Sequence, residues 1–319
     1  MDKKVIDNIV WWIPFKKLRN AIRNYIVEKN NLNDELKKII YHNNQLLYSI
    51  NNTLYNSIFI SSNQFVNDLL KDKRYEDKKR LERFGYKVYS QNDEDGIINE
   101  IFNRIGTTNK FFVEFGVQTG LECNSHYLLF NGWNGVFIEG SEYYYNMIID
   151  KFRKPIEEKR LEVLNRFIDA ENINDILSET KAIKIKDIDL LSIDIDGNDY
   201  HVFKSINVIN PRVVIIEYNS KFPPPSEWIM PYNPKHIWDN SDNQGVSLQS
   251  ISNLADKKGY QLVGTNLNGI NAFFVRKDLC KDKFCDDCSA LNLYNSPKYD
   301  IFRLNAHPSK YFLNTAKDE

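Results

Sequence analysis

Residues Lys110 to Ser141 read KFFVEFGVQTGLECNSHYLLFNGWNGVFIEGS. Two apolar runs, Phe111-Phe112-Val113 and Gly135-Val136-Phe137-Ile138, bracket a polar loop and a helical pattern at His126-Tyr127-Leu128-Leu129-Phe130. Each run ends on an acid, Glu114 in the first and Glu139 in the second. This is a strand–loop–helix–strand unit. Parallel strands need such a crossover. Ligands of parallel sheets sit beyond the carboxyl ends of the strands. The unit therefore predicts a parallel sheet and the edge of it where a site would lie.

Gly116 and Gly120 lack a Cβ and tolerate positive φ, so a ligand can approach the main chain there. Glu139 follows Glu114 by 25 residues and is placed to accept hydrogen bonds from a ribose diol. The dinucleotide fingerprint sets an acid in a similar way but uses three glycines at tighter spacing. Here two glycines are separated by Val117-Gln118-Thr119, a wide loop poorly suited to a pyrophosphate. It suits a nucleoside without phosphates, S-adenosylmethionine. A plain strand-to-helix turn is the other reading of the glycine pair.

Four segments carry a resemblance: Tyr89-Ser-Gln-Asn-Asp-Glu-Asp-Gly-Ile-Ile98, Glu114-Phe-Gly-Val-Gln-Thr-Gly120, Gly135-Val-Phe-Ile-Glu-Gly-Ser141 and Leu190-Leu-Ser-Ile-Asp-Ile-Asp-Gly-Asn-Asp199. In this order they resemble the FkbM-type S-adenosylmethionine-dependent methyltransferases, over roughly Tyr89 to Arg276. The resemblance implies a class I methyltransferase fold and methylation of an oxygen on a sugar or other small hydroxyl compound.

Outward from the central unit the pattern stays regular. Asp93-Glu94-Asp95-Gly96 precedes an amphipathic helix that ends near Gly106. Strands are predicted at 111–116, 135–140, 161–168, 189–195 and 212–218, with short helices around 171–178 and 200–206. Arg212 to Tyr218 (RVVIIEY) is the most apolar, as expected of a strand covered on both faces. A helix at 248–258 and strands at 260–263 and 271–275 complete the set. Such alternation predicts an α/β fold with a Rossmann-like, doubly wound, mostly parallel seven-stranded sheet and an N-terminal helical, coiled-coil extension. The expected division is 1–80 for that extension, 81–277 for the catalytic domain and 278–319 for a C-terminal extension.

Candidate cofactor residues follow. Glu114, Gly116 and Gly120 line the methionine and ribose side. Glu139 takes the ribose hydroxyls, with Gly140 and Ser141 beside it. Asp169, with Ala170, stands at the end of the third strand, where this fold type presents an acid to the adenine amino group. Gln91 and Asp93 close over the cofactor. For Asp169 a helix N-cap is the competing role, and both can coexist.

The second constellation is Asp194-Ile195-Asp196-Gly197-Asn198-Asp199 with Glu217 on the next strand. Neighbouring strands ending in carboxylates repel each other unless a cation, a proton or a substrate donor intervenes. Three readings stand open. One carboxylate among Asp194, Asp196 and Glu217 is a general base for the acceptor hydroxyl. The three hold a Mg²⁺ that acidifies a substrate diol. Or 196–199 is a turn and cap. His201 is a rival base, and His126 and His236 are weaker ones. The segment 219–243 holds five prolines with Trp228, Tyr232 and Trp238, and is the expected acceptor-recognition loop. Lys221 and Lys235 are candidates for a phosphate on the acceptor.

The N-terminus has its own logic. VWWIPFKKLRNAIRNYI (10–26) sets Phe15, Leu18, Ile22, Tyr25 and Ile26 on one stripe, with Lys16, Lys17, Arg19 and Arg23 off it. With Trp11 and Trp12 this is the composition of an interfacial helix on an anionic bilayer, or of a helix packed on a neighbour. Similar short segments occur in bacterial surface-glycan enzymes. Beyond it Leu32, Ile39 and Leu46 are seven apart, Leu36 and Ile50 fall on the alternate seam with Asn43 between them, and Thr53 and Ser57 break the pattern. An oligomerising helix is expected, giving a homo-oligomer. KDKRYEDKKR (71–80) reads as a solvated linker or helix surface.

The net charge of −1 argues against nucleic acid as a partner. No apolar run reaches 18 residues and no secretory leader is evident, so a cytoplasmic protein is expected, peripheral to the inner membrane. Cys280, Cys285 and Cys288 resemble half a zinc site, for which Cys123 or His307 would have to supply more, or they are free thiols. The expected enzyme methylates a sugar hydroxyl in a bacterial surface glycan or its precursor. A nucleotide-sugar or NAD-dependent enzyme is disfavoured by the missing third glycine. A non-catalytic oligomeric scaffold is disfavoured by acids at four strand ends.

Overall fold

A computed structural model describes residues 3–299 and residue 301. The chain divides into two compact units, Met1–Ile60 and Ser61–Glu319.

The first unit holds α1 (Lys3–Val10) and most of α2 (Lys16–Leu69). Arg23 of α2 pairs with Asp7 of α1 at 2.6 Å. Helix α2 runs unbroken for 54 residues, and none of them is buried. It passes through Thr53 and Ser57, where the heptad pattern ends but the helix does not. The Thr53 hydroxyl donates to the Ser49 carbonyl one turn back, which satisfies the polar group without ending the helix.

In the second unit the elements are α3 (Glu94–Ile105), β1 (Phe111–Phe115), α4 (His126–Phe130), β2 (Asn134–Glu139), α5 (Glu142–Lys151), α6 (Arg153–Glu157) and β3 (Leu161–Asn165). There follow α7 (Ile173–Ser178), α8 (Ala182–Ile185), β4 (Leu190–Ile193), α9 (Asp199–Ser205), β5 (Val213–Glu217), α10 (Leu248–Lys257), β6 (Tyr260–Thr265), β7 (Asn271–Arg276), α11 (Lys277–Cys280) and α12 (Ala290–Leu293). The strands form one seven-stranded sheet in the order β3-β2-β1-β4-β5-β7-β6. The first five are parallel, and β7 is antiparallel to both β5 and β6. The sequence is therefore right about a mostly parallel sheet.

Both faces of the sheet are covered, and alternation along β5 shows why its run is continuously apolar. Val214 and Ile216 point into one cluster with Val202, Phe203 and Ile251. Val213 and Ile215 point into the other with Ile98, Ile101 and Phe112. At the amino ends of the strands, Asp189 and Arg212 form a fully buried ion pair at 2.6 Å. Asp189 also accepts from the amides of Thr108, Asn109 and Lys110, and Arg212 donates to the carbonyls of Ile105 and Gly106. Burial pushes the Asp189 carboxyl up, and Arg212 with these amides pulls it below its ordinary value. The opposite ends of the same strands are thereby left for the site.

The 71–80 stretch is not simply a solvated linker. Tyr75 is buried, and Arg80 is buried in an ion pair with Glu82 at 3.1 Å. The described part of 278–301 joins the core through Phe284, Cys285, Ala290 and Leu293.

Candidate active site

The carboxyl ends of β1, β2 and β4 surround a cavity of about 390 Å³. At the end of β1, Gly116 takes φ +68°, and its amide donates to the Ile138 carbonyl at 3.0 Å. A Cβ at Gly116 would lie 1.8 Å from the Asp194 carbonyl oxygen, so the two strand ends meet backbone to backbone. Glu139 ends β2. One carboxylate oxygen accepts from the Gln118 amide at 2.7 Å and the other from the Ser141 amide at 2.8 Å. This pins the carboxylate across the β1 loop at the cavity wall. Burial raises the Glu139 carboxyl, while the Ser141, Gln118 and Gly140 amides oppose the rise. Ile138, Tyr144, Phe167 and Ile168 supply apolar walls. Arg166 is the one Lys or Arg on the lining, and it is paired with Glu179 at 3.2 Å. The apolar walls fit a nucleoside, and the Arg166 guanidinium on the lining is already shared with Glu179.

A second, smaller cavity of about 130 Å³ shares Gly116, Gln118, Asp194 and Asp196 with the first. Gln91, Glu114, Asn124, Glu217 and Asn271 line it, and among the described residues no Lys or Arg does. Carboxylate oxygens of Asp194, Asp196 and Glu217 all lie within 4.8 Å of one another. Burial raises the Asp194 and Glu217 carboxyls well above their ordinary values, and repulsion from neighbouring carboxylates adds to it. Asp196 is raised by burial and eased by His236. Asp196 also takes φ +55°, a left-handed conformation that costs a non-glycine residue about 1–2 kcal/mol. Asp199 holds that turn by accepting from the Ile195 and Gly197 amides, both at 2.9 Å. The turn role thus falls to Asp199, while Asp194 and Asp196 face the cavities.

Other candidates stand elsewhere. Glu114 is buried, and its two oxygens are engaged by the Asn124 and Ser125 amides at 2.8 and 2.9 Å. It clamps the returning loop while its edge lines the smaller cavity. At Gly120 an added Cβ would meet Phe152 at 2.7 Å, so this glycine serves packing and lines neither cavity. Gly140 and Ser141 line the larger cavity, and Ser141 also caps α5. Gln91 lines the smaller one. Asp93 does not; it is fully buried beneath the Leu267 amide, because the chain turns inward before α3. Asp169 accepts from the Glu171 and Asn172 amides at 3.0 and 2.7 Å, closing a turn ahead of α7, whose N-cap is Asn172 and not Asp169, and neither Asp169 nor Ala170 lines a cavity.

His201 is turned away. Its Nε2 lies 2.8 Å from the Met230 carbonyl, which can only accept, so that nitrogen carries the proton and is no base toward an acceptor. His236 likewise donates Nε2–H to the Asp196 carbonyl at 3.0 Å. His126 is buried on Tyr89, and burial lowers its pKa to about 4. Within the 219–243 loop, Trp238 with His236 and Ile237 lines the larger cavity. Trp228 instead stacks on Phe222, and Tyr232 bonds the Ala170 amide and Glu171. Lys221 is paired with Asp242, and Lys235 lines neither cavity.

Tyr144 and Phe167, which line the larger cavity, were not evident from the sequence. Tyr144 lies in the first turn of the helix after Glu139, the one local signal that could have marked it. The cysteines form no metal-binding group among the described residues; His307 lies outside them. Cys288 donates to the Cys285 carbonyl, and Cys280 to the carbonyls of Val275 and Arg276.

Sheet order and site together define a class I methyltransferase fold. Residues 129–254, less than half of the chain, match the family model described as the methyltransferase FkbM domain. No curated protein sequence matches the chain. Among solved structures it is similar to an O-methyltransferase from Bacillus cereus in complex with S-adenosylhomocysteine, at 14% identity over 68% of this chain and 89% of that one, with a TM-score of 0.35. It is also similar to magnesium protoporphyrin IX methyltransferase from Synechocystis with bound S-adenosylmethionine, at 10% identity over 67% and 97%, with a TM-score of 0.37.

Proposed function

We propose that the chain transfers a methyl group from S-adenosylmethionine to a hydroxyl of a sugar, in a bacterial surface glycan or its precursor. The Glu139 carboxylate, fixed by the Gln118 and Ser141 amides at the rim of an apolar cavity, is the observation that carries the cofactor reading. Its remaining lone pairs suit a ribose diol, and the walls suit an adenine. When bound, the cofactor supplies an activated methyl that needs an in-line nucleophile. The chain's own task is then to position the acceptor, which can contribute on the order of 7–11 kcal/mol. It must also take one proton.

The acceptor reading rests on the smaller cavity. Carboxylates and carboxamides without any cation favour a neutral, hydroxyl-rich group over a phosphate or an acid at the reacting point. Asp194 or Glu217 takes the proton. The close approach of three carboxylates favours a second reading, in which Mg²⁺ sits among Asp194, Asp196 and Glu217. Both readings keep the same residues.

Calorimetric titration with S-adenosylhomocysteine tests the cofactor assignment. Glu139→Ala is expected to weaken binding by about 10- to 100-fold, the loss of one charge-assisted hydrogen bond at about 1.5–3 kcal/mol. Equal affinity in the variant would contradict the ribose role.

Peripheral contact with an anionic membrane belongs to the same proposal. Trp11, Trp12 and Phe15 are 68–71% exposed beside Lys16, Lys17 and Arg19. No described helix is long and apolar enough to cross a membrane. Sedimentation with phosphatidylglycerol vesicles, and not with phosphatidylcholine vesicles, is the expected result, lost in the Trp11→Ala/Trp12→Ala double variant. Failure to sediment with either removes this part.

A further inference from the structure

Helix α2 is about 81 Å long at 1.5 Å per residue. Its C-terminal half is almost without charge. From Ile39 to Asn67, 29 residues, there is no Asp, Glu, Lys or Arg, in a chain that is 27% charged. A helix left in water normally carries charged residues over most of its surface. This one carries apolar rows instead. Leu32, Ile39 and Leu46 form one, Ile40, Leu47 and Leu54 a second, and all six are 52–59% exposed. Tyr41, Tyr48 and Tyr55 repeat on the same spacing.

The spacing is seven residues, without slippage. A straight helix drifts about 20° per heptad from such a repeat, so the rows stay on one line only if the helix winds around a partner. Leu36, Asn43 and Ile50 fill the companion seam, which makes Leu32, Ile39 and Leu46 the d row and Leu36, Asn43 and Ile50 the a row.

We propose that α2 pairs in parallel, in register, with α2 of a second copy of this chain. Two observations select a copy over a different protein. Mixed pairs are chosen by complementary charges flanking the seam, and from Ile39 to the last seam residue, Ile50, there are none to offer. In a symmetric parallel pair the a and d rows each meet themselves, so a charged seam position would face like charge; from Leu32 to Ile50 the seam holds none. Asn43 sets the register. Opposite its own copy, each carboxamide can both donate and accept. In an antiparallel or shifted pair it would face Leu or Ile and stay buried without a partner, which is costly.

The test uses the full chain. Light scattering at low micromolar concentration is expected to give at least twice the single-chain mass of 37.6 kDa. The Ile39→Asp/Leu46→Asp variant should fall to the single-chain mass while binding S-adenosylhomocysteine like the parent, which shows that the second unit is folded. Mild oxidation of Leu32→Cys should yield a covalent pair that the parent does not form, since antiparallel pairing about Asn43 would separate the two positions. A monomeric parent overturns the proposal. So does an Asp variant with undiminished mass, or a Leu32→Cys protein that fails to cross-link.

Discussion

Asparagine at position 194 is expected to lower turnover by roughly 10²- to 10⁴-fold, the usual worth of a positioned base, while S-adenosylhomocysteine still binds. The same change should stabilise the protein at neutral pH. Asp194 sits within 4.8 Å of Asp196 and Glu217 and is held well above its ordinary value by burial first and by neighbouring carboxylates second. A carboxyl raised in the folded state adds stability only below its unfolded value near 3.9, and that contribution is lost as pH rises through the folded value. Thermal melts of parent and D194N should therefore coincide near about pH 4, and the variant should melt higher at about pH 8. Millimolar Mg²⁺ separates the two proton-handling readings. With a cation among the three carboxylates it raises the parent's melting temperature at the higher pH and not the variant's; with a base alone it moves neither. Undiminished turnover in D194N would remove Asp194 from catalysis. A variant that melts no higher than the parent at the higher pH would show that the repulsion is already relieved.

The second large effect is at Gly116. Alanine there faces two penalties, a left-handed φ of +68° and a Cβ 1.8 Å from the Asp194 carbonyl oxygen. The first costs about 1–2 kcal/mol and the second about 1–3, so G116A should lose roughly 2–5 kcal/mol in urea unfolding. Because relaxing the clash moves the 116–118 loop away from Glu139, S-adenosylhomocysteine binding should fall with it. Gly106 is the control. Its φ of +70° and ψ of 171° fall in a region essentially reserved for glycine, with nothing within 4 Å of an added Cβ, so G106A should lose stability through backbone conformation alone and bind normally. Matching losses in the two variants would show that the close approach to Asp194 carries no energy.

Much of this site could be read from one sequence because strand ends announce themselves. Glu139 and Asp194 follow short apolar runs, and the run length fixes which edge they reach. All seven strands fall within three residues of their expected bounds, the largest difference being β3, which stops at Asn165 and not at Ile168. Helix α5 was not legible. Its EYYYNMIIDK buries only Ile148, so no apolar stripe marks it. Asp93 and His201 mislead for a related reason. Sequence gives their neighbours along the chain and not the direction of the side chain, and tertiary packing turned one beneath Leu267 and the other onto Met230. Trp238 reaches the larger cavity and Trp228 does not, although both lie in one proline-rich loop. That distinction depends on the loop's return path, where Ile229 bridges Val246.

The place of β7 bears on how the chain is made. Among the described residues it is the last strand to leave the ribosome, yet it lies between β5 and β6. Until residue 276 emerges, Val213 to Glu217 is a bare hydrophobic border and Tyr260 to Thr265 has no neighbour to bond with. Unpaired borders of this kind recruit other nascent chains. A polypeptide ended at Lys257 would retain Trp238 and every wall of the larger cavity, but it would present that border permanently. The 129–254 segment alone is in the same position, and also lacks β1, so neither piece is a self-sufficient unit of synthesis.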